Sequence, residues 1–364
     1  MPKAQTLEKL PKQLSSELLN WYDKHGRDLP WRKRPESGQQ TLADPYSVWL
    51  SEIMLQQTTV AAVKPYFENF LRLWPTVADL AATEDEAIMV AWAGLGYYSR
   101  ARNLLKCARM VMDDYNGKFP ETAVELQKFP GIGPYTAAAV ASIAFRDPVP
   151  VVDGNVERVV TRLLSIDTPL PVAKDIVRKA LLPIIPSDRP GDLAQAFMDL
   201  GATLCSPKRP ACSLCPLNDN CSALTGGNQE KFPVKLPKKQ KPTRIGAAFV
   251  LVQGNRSIWL QKRAPTGLLA DMTEVPTTDW TSNNDGVSDT SAAPLVANWN
   301  EVGMVRHTFT HFHLELIVFK SIFDENCTLT PAMLEAKGRW ANINQLEEEA
   351  LPNLMRKVIA KALS

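Results

Sequence analysis

Four cysteines fall within 17 residues, as Cys205-x6-Cys212-x2-Cys215-x5-Cys221. This short loop must close on itself, because thiols at such density rarely all serve as packing. Four thiolates so close together can enclose a soft metal centre, either a [4Fe–4S] cluster or a structural zinc ion. The spacing alone leaves both open, and two disulfides or four buried thiols are the bland alternative. The first 22 residues carry no apolar run of signal-peptide length, and the longest small-apolar run, 136–145, is too short to span a bilayer. A soluble, cytoplasmic protein of bacterial type is expected, with no membrane partner. A reducing compartment favours metal over disulfides.

A chain of 364 residues can hold two or three domains with real cores. Net charge is only +2, so any nucleic-acid surface must be local. From residue 6 to about 224 the pattern is helical. Leu7, Leu10, Leu14, Leu18 and Trp21 suit one amphipathic helix. Asp44-Pro45 reads as the N-cap and first position of a helix reaching about residue 60. Further helices are expected near 61–73, 84–93, 99–115, 123–128, 135–145, 154–165, 173–184 and 192–204. Lys231, Lys235, Lys238, Lys239, Lys241 and Arg244, interleaved with Pro233, Pro237 and Pro242, then read as an extended basic linker over 228–243. Beyond it the period shortens. Segments 245–252 and 257–261 predict a hairpin around Gly254-Asn255, 313–323 a strand, 277–298 a long loop, and 333–336 and 351–363 helices. The expected architecture is a helical domain over 1–227, the linker, and an α+β domain over 244–364.

Phe129-Pro130-Gly131-Ile132-Gly133-Pro134-Tyr135 lies between two short predicted helices. Gly131 and Gly133 would leave backbone N–H groups uncovered at the start of the second helix, an anion site suited to a DNA phosphate. The small face that follows, Ala137, Ala138, Ala139 and Ala141, allows close helix packing. Asp153 ends the apolar run 149–152 and precedes a helix, where the bland alternative is an N-cap. Glu52 shares a helical stripe with Val48, Trp49 and Leu55. Burial there would raise its carboxyl toward the range of a general acid.

The hairpin resembles the helix–hairpin–helix motif of base-excision DNA glycosylases. With Val-Val-Asp153-Gly-Asn155-Val and the cysteine loop it resembles the endonuclease III and adenine-glycosylase superfamily, whose loop carries a [4Fe–4S] cluster. The segment 49–58 resembles the acid-bearing helix of the adenine DNA glycosylases that act opposite 8-oxoguanine, the MutY family. This resemblance covers nearly the whole chain. It implies a multidomain fold: an all-α helix–hairpin–helix glycosylase domain with an iron–sulfur loop, then an α+β Nudix-like domain.

For the site residues the resemblance implies the following roles. Arg27, Leu29, Trp31 and Arg32 belong to the adenine pocket. Gln57 and Thr58 reach the mispair, Leu95 and Tyr97 wedge into the duplex, and Gln195 faces adenine. Glu52 protonates adenine, Asp153 stabilises the sugar cation, and Tyr135 and Asn155 orient these groups or the water. Tyr135 stands where bifunctional relatives have a Schiff-base lysine, which implies a monofunctional glycosylase. Phe309-Thr310-His311 would inspect the oxidised guanine. The stretch after Pro276 lacks the glutamate cluster of a working Nudix hydrolase, so that domain should bind rather than hydrolyse. Thr273 and Val275 depart from the family, where aromatics are usual. The expected partner is double-stranded DNA with A opposite 8-oxoguanine or G, bound by a monomer. The rival readings are an endonuclease III-like pyrimidine glycosylase/lyase, a non-catalytic Fe–S DNA-binding module, and a nucleotide pyrophosphohydrolase.

Overall fold

Helix starts follow the capping residues in the computed structural model, which describes residues 10–33, 42–237, 240–254, 256–281, 285–324, 327, 330–335 and 338–364. Leu7, Lys238, Lys239, Asn255 and Ala336, which figure in the sequence expectations, lie outside the described residues. The helices are α1 (Gln13–His25), α2 (Pro45–Leu55), α3 (Val60–Leu73), α4 (Val77–Ala81), α5 (Asp85–Trp92) and α6 (Ser99–Tyr115). They continue with α7 (Ala123–Leu126), α8 (Pro134–Phe145), α9 (Gly154–Leu163), α10 (Ala173–Leu181), α11 (Pro190–Thr203) and α12 (Ser222–Thr225). The Asp44 carboxylate accepts the Ser47 N–H at 2.8 Å, and Pro45 opens α2 as its position predicts. This helix stops at Leu55, short of the expected residue 60. Gln57 adopts a left-handed φ of 59° and Thr59 caps α3 instead.

The chain divides into two units. One comprises Met1–Ala81 and Lys106–Lys238; the other comprises Ala82–Leu105 and Lys239–Ser364. The helical domain expected over 1–227 is thus interrupted, because residues 82–105 find their partners in the C-terminal part. Arg102 donates to the Ala270 carbonyl at 2.6 Å, and the Tyr97 and Thr310 hydroxyls lie 2.9 Å apart. The linker expected over 228–243 also differs. Phe232 is buried, Leu170 N–H donates to the Val234 carbonyl at 3.0 Å, and Leu170 bridges Lys235. One buried aromatic and these backbone bonds pin the first half of the stretch to the helical unit, so it is not a free tether.

In the helical unit, α11 packs on α1, α8 and α9, and α2 packs on α8. Contact is close because side chains are missing where backbones meet. A Cβ on Gly191 would stand 2.6 Å from the Ile143 Cα, and one on Gly201 would stand 2.6 Å from the Asn155 Cβ. In the second unit, β1 (Thr243–Gln253), β2 (Ser257–Lys262), β3 (Thr273–Glu274), β4 (Asn300–Thr308), β5 (His313–Ile322) and β6 (Arg339–Asn342) form one sheet. Its order is β3-β2-β1-β5-β4, with β6 on β2, and β1 runs parallel to β5. Strand β1 is buried on both faces. Val250 and Val252 face α14 (Asn353–Leu363), through Met355 and Val358, while Phe249 meets Trp299 and Phe319 on the other side. Residues Pro331–Glu335 form α13.

Candidate active site

Helix α2 is apolar on nearly every side, and Tyr46 through Met54 are buried apart from Ser47. Glu52 sits in that run at 6% exposure. The hydroxyl of Tyr135, on α8, donates to its carboxyl. Asp153 is indeed the N-cap of α9. Its carboxylate accepts Asn155 N–H at 2.9 Å, Val156 N–H at 2.7 Å and the Asn155 side-chain amide at 2.8 Å. Glu52, Tyr135, Asp153 and Asn155 all line one cavity of about 480 Å³. Burial is the largest effect on Glu52 and pushes its carboxyl up to about 7. The Tyr135 hydrogen bond opposes that rise, the Asp153 charge adds to it, and the Arg32 charge opposes it. The cavity therefore sets a carboxyl raised by burial beside one that accepts three N–H bonds.

Arg27, Leu29, Trp31, Arg32, Gln57, Thr58 and Gln195 line the same cavity. Trp31 is wedged edge-on against Phe67 at 5.3 Å. Gln195 donates to the Gly191 carbonyl at 3.3 Å. Sequence reasoning missed Asp199, which organises both arginines. Its side chain is 0% exposed. One oxygen takes the Arg27 Nε–H at 2.7 Å, and the other takes the Arg27 backbone N–H and the Arg32 Nη1–H, each at 2.7 Å. The signal was available, since Asp199 interrupts the apolar run 193–200 four residues after Gln195, as Glu52 interrupts its own. Glu157 and Lys174, paired at 2.9 Å on the cavity wall, were also missed.

The hairpin glycines are exposed, and Gly131 has φ of 79°. A Cβ on Gly133, the N-cap of α8, would meet nothing within 4 Å. No internal packing demands glycine there, which leaves the α8 N-terminus open to an external anion. The four cysteines are free thiols, each partly buried. Burial pushes the Cys215 thiol up to about 11, and the charges of Cys205, Cys221 and Cys212 add to the rise, so the four sense one another. Arg162, at 2% exposure, donates to the Cys205 sulfur at 3.2 Å and otherwise to carbonyl oxygens. A buried cation among neutral acceptors suits an anionic, thiolate-held group. Among the described residues, no three His, Cys, Asp or Glu side chains stand close enough to hold a single metal ion.

Residues 50–185 match the family described as "HhH-GPD superfamily base excision DNA repair protein", and residues 247–361 match the NUDIX domain. The chain is similar to solved structures of a thermostable thymine-DNA glycosylase (29% identity, TM-score 0.52, 59% of this chain and 96% of that one) and of endonuclease III in a non-covalent DNA complex (28%, 0.50, 60% and 98%). It is 35% identical to adenine DNA glycosylase of Homo sapiens, over 94% of this chain and 72% of the human protein. It is 33% identical to that of Buchnera aphidicola subsp. Acyrthosiphon pisum, over 96% and 98%. The chain belongs to the adenine DNA glycosylase family.

The enzyme is thus a base-excision-repair DNA glycosylase with a helix–hairpin–helix unit and a Nudix-like unit, as the motifs led us to expect. Among its described residues, no helix is long and apolar enough to cross a membrane. In the second unit a cavity of about 540 Å³ collects Tyr97, Arg102, Lys241, Phe309, Thr310 and His311. Phe309 stacks on Trp280 at 5.6 Å, Lys241 donates to the Phe309 carbonyl at 2.9 Å, and Thr310 and His311 are exposed. The loop carrying Tyr97 is held by buried Arg100, which donates to the Leu95 and Gly96 carbonyls at 3.2 and 3.1 Å. Tyr97 has φ of 48° and is 46% exposed, while Leu95 is buried at 7%. Of the two residues expected to wedge into the duplex, Tyr97 is thus exposed and Leu95 packs inward, where its apolar surface is removed from water. Thr273 and Val275 are both buried, and Val275 shares its core cluster with Trp280.

Proposed function

We propose that the enzyme excises adenine paired with 8-oxoguanine or guanine in duplex DNA, as a monomer and without strand cleavage. What carries this reading is the pairing of a buried, proton-holding Glu52 with Asp153 in one cavity, with Tyr135 where an amine nucleophile would otherwise stand. An adenine in a duplex hides its glycosidic bond, so the nucleotide must be flipped out. The exposed amides at Gly131 and Gly133 grip the backbone, and Tyr97 and Gln57 enter the duplex. Both take left-handed φ, a conformation that costs energy and collects at functional positions.

Arg27, Leu29, Trp31, Arg32, Gln195 and Thr58 receive the flipped base. Glu52 donates its proton to adenine N7, which makes the base a neutral leaving group. Positive charge then develops on the sugar, and the Asp153 carboxylate, fixed by three N–H donors, stabilises it. Tyr135 and Asn155 hold the two carboxyls in place. Water adds to the sugar and leaves an abasic site. Phe309, Thr310 and His311 read the opposite base. Cys205, Cys212, Cys215 and Cys221 would hold a [4Fe–4S] cluster, which supplies a rigid, DNA-facing loop.

The test uses duplexes carrying A opposite 8-oxoguanine, A opposite G, and thymine glycol. Alkali-revealed cleavage is expected at adenine alone, and borohydride should trap no covalent complex. Glu52→Gln should abolish excision while mispair binding persists. Normal turnover by that variant would sink the acid assignment.

A further inference from the structure

We propose that Asp199 is a positioning residue of the proton-donor pocket: by clamping Arg27 and Arg32 and cancelling the charge of Arg32, it keeps Glu52 in its proton-bearing form. The inference rests on the reading of Glu52 as the acid. The geometry behind it is specific. Asp199 is buried completely in α11, and both its oxygens are spent on the two arginines of the cavity wall. The Arg32 side chain is only 5% exposed.

A guanidinium placed there without a counter-charge would draw the proton off a neighbouring carboxyl. Burial also works against Arg32 itself, and the hydrogen bond it donates to Asp199, with the charges of Tyr22, Asp199 and Glu52, reverses that effect and holds it charged. In the same exchange burial would raise Asp199, but Arg32 and Arg27 hold it below the usual carboxylate range. The groups facing Glu52 are therefore Tyr135 from α8, Asp153 ahead of α9, and Arg32 from the segment before α2. Glu157 and Lys174 line the cavity beyond them and offset each other. Of these charges, the one on Arg32 is set by Asp199. The guanidinium stays protonated without its partner, so loss of the aspartate charge leaves the Arg32 charge, which lowers the Glu52 carboxyl, without compensation and favours ionised Glu52.

Single-turnover excision rates of the full-length enzyme from pH 5 to 9 test this. The rate should fall as pH rises and Glu52 loses its proton. In Asp199→Asn that falling limb should move roughly one pH unit lower, about tenfold slower above the limb, with recovery toward the wild-type rate at pH 5. Asp199→Glu keeps the charge and should keep the limb in place, even if slower throughout. A misplaced side chain with no electrostatic role would lower the rate equally at every pH, and that parallel drop overturns the inference. If Asp199→Asn does not fold, Arg32→Gln serves, since removing the cation should move the limb upward. A limb unmoved by Arg32→Gln overturns the proposal as well. Activity in Glu52→Gln would instead remove the acid reading itself, a distinct failure.

Discussion

Residue-scale chemistry here is a matter of where a carboxyl is put. Glu52 and Asp153 are the same functional group in two surroundings, one apolar and one ringed by N–H donors. The position of Glu52 costs stability in a way that pH exposes. Its folded-state carboxyl lies near 7 against an ordinary 4.5, so the contribution of Glu52 to stability is fully present below pH 4.5 and is lost as pH rises through 7. Glu52→Gln removes the titration. Its unfolding free energy should gain on wild type by roughly 3 kcal/mol between pH 4.5 and pH 8. Urea unfolding at several pH values measures this, and a constant gap would show that Glu52 does not titrate in that window. Both carboxylates were legible in the sequence because each interrupts an apolar run. Asp199 carries the same mark but was not legible as a site residue, since its partners Arg27 and Arg32 lie 172 and 167 positions away.

Among the elements, α11 does the most positioning. It supplies Gln195 and Asp199 to the cavity, and its Gly201 lets Asn155 of α9 approach. Asn155 in turn holds Asp153 and accepts from Arg158, whose Nε donates to the Cys205 carbonyl at 2.7 Å. Gly201→Ala should therefore cost roughly 1–3 kcal/mol of stability and slow excision as well. Gly191→Ala should cost a similar amount through Ile143 yet leave single-turnover excision close to wild type. Equal excision rates in the two variants would contradict this division. Helix positions were readable because caps and apolar periods are local: Asp44-Pro45, Asp153-Gly154 and the run 99–115 all fall where sequence puts them. Strand β4 was not readable. It is an edge strand with little burial, so its residues carry no alternation.

At the scale of the whole molecule, the two units are not consecutive stretches of chain. Residues 82–105 belong to the unit completed by 239–364, although helical chain surrounds them on both sides. Nothing in the local pattern of α5 says which core it joins, which is why a boundary near 227 looked natural. A chain ending at residue 238 should leave 82–105 open to protease, whereas the full-length chain protects it. Limited proteolysis with mass spectrometry decides this, and protection in the truncated chain would refute the division. The interleaving also sets a timetable. A ribosome adding about 5–20 residues per second delivers Gly94, Tyr97 and Arg102 long before Ala270, Thr310 and Asn353, the groups they bond. For on the order of ten seconds or longer the newborn enzyme holds a helix pair with Tyr97 in hand and no counterpart yet made. Its last-synthesised third is thus also the part that finishes its first.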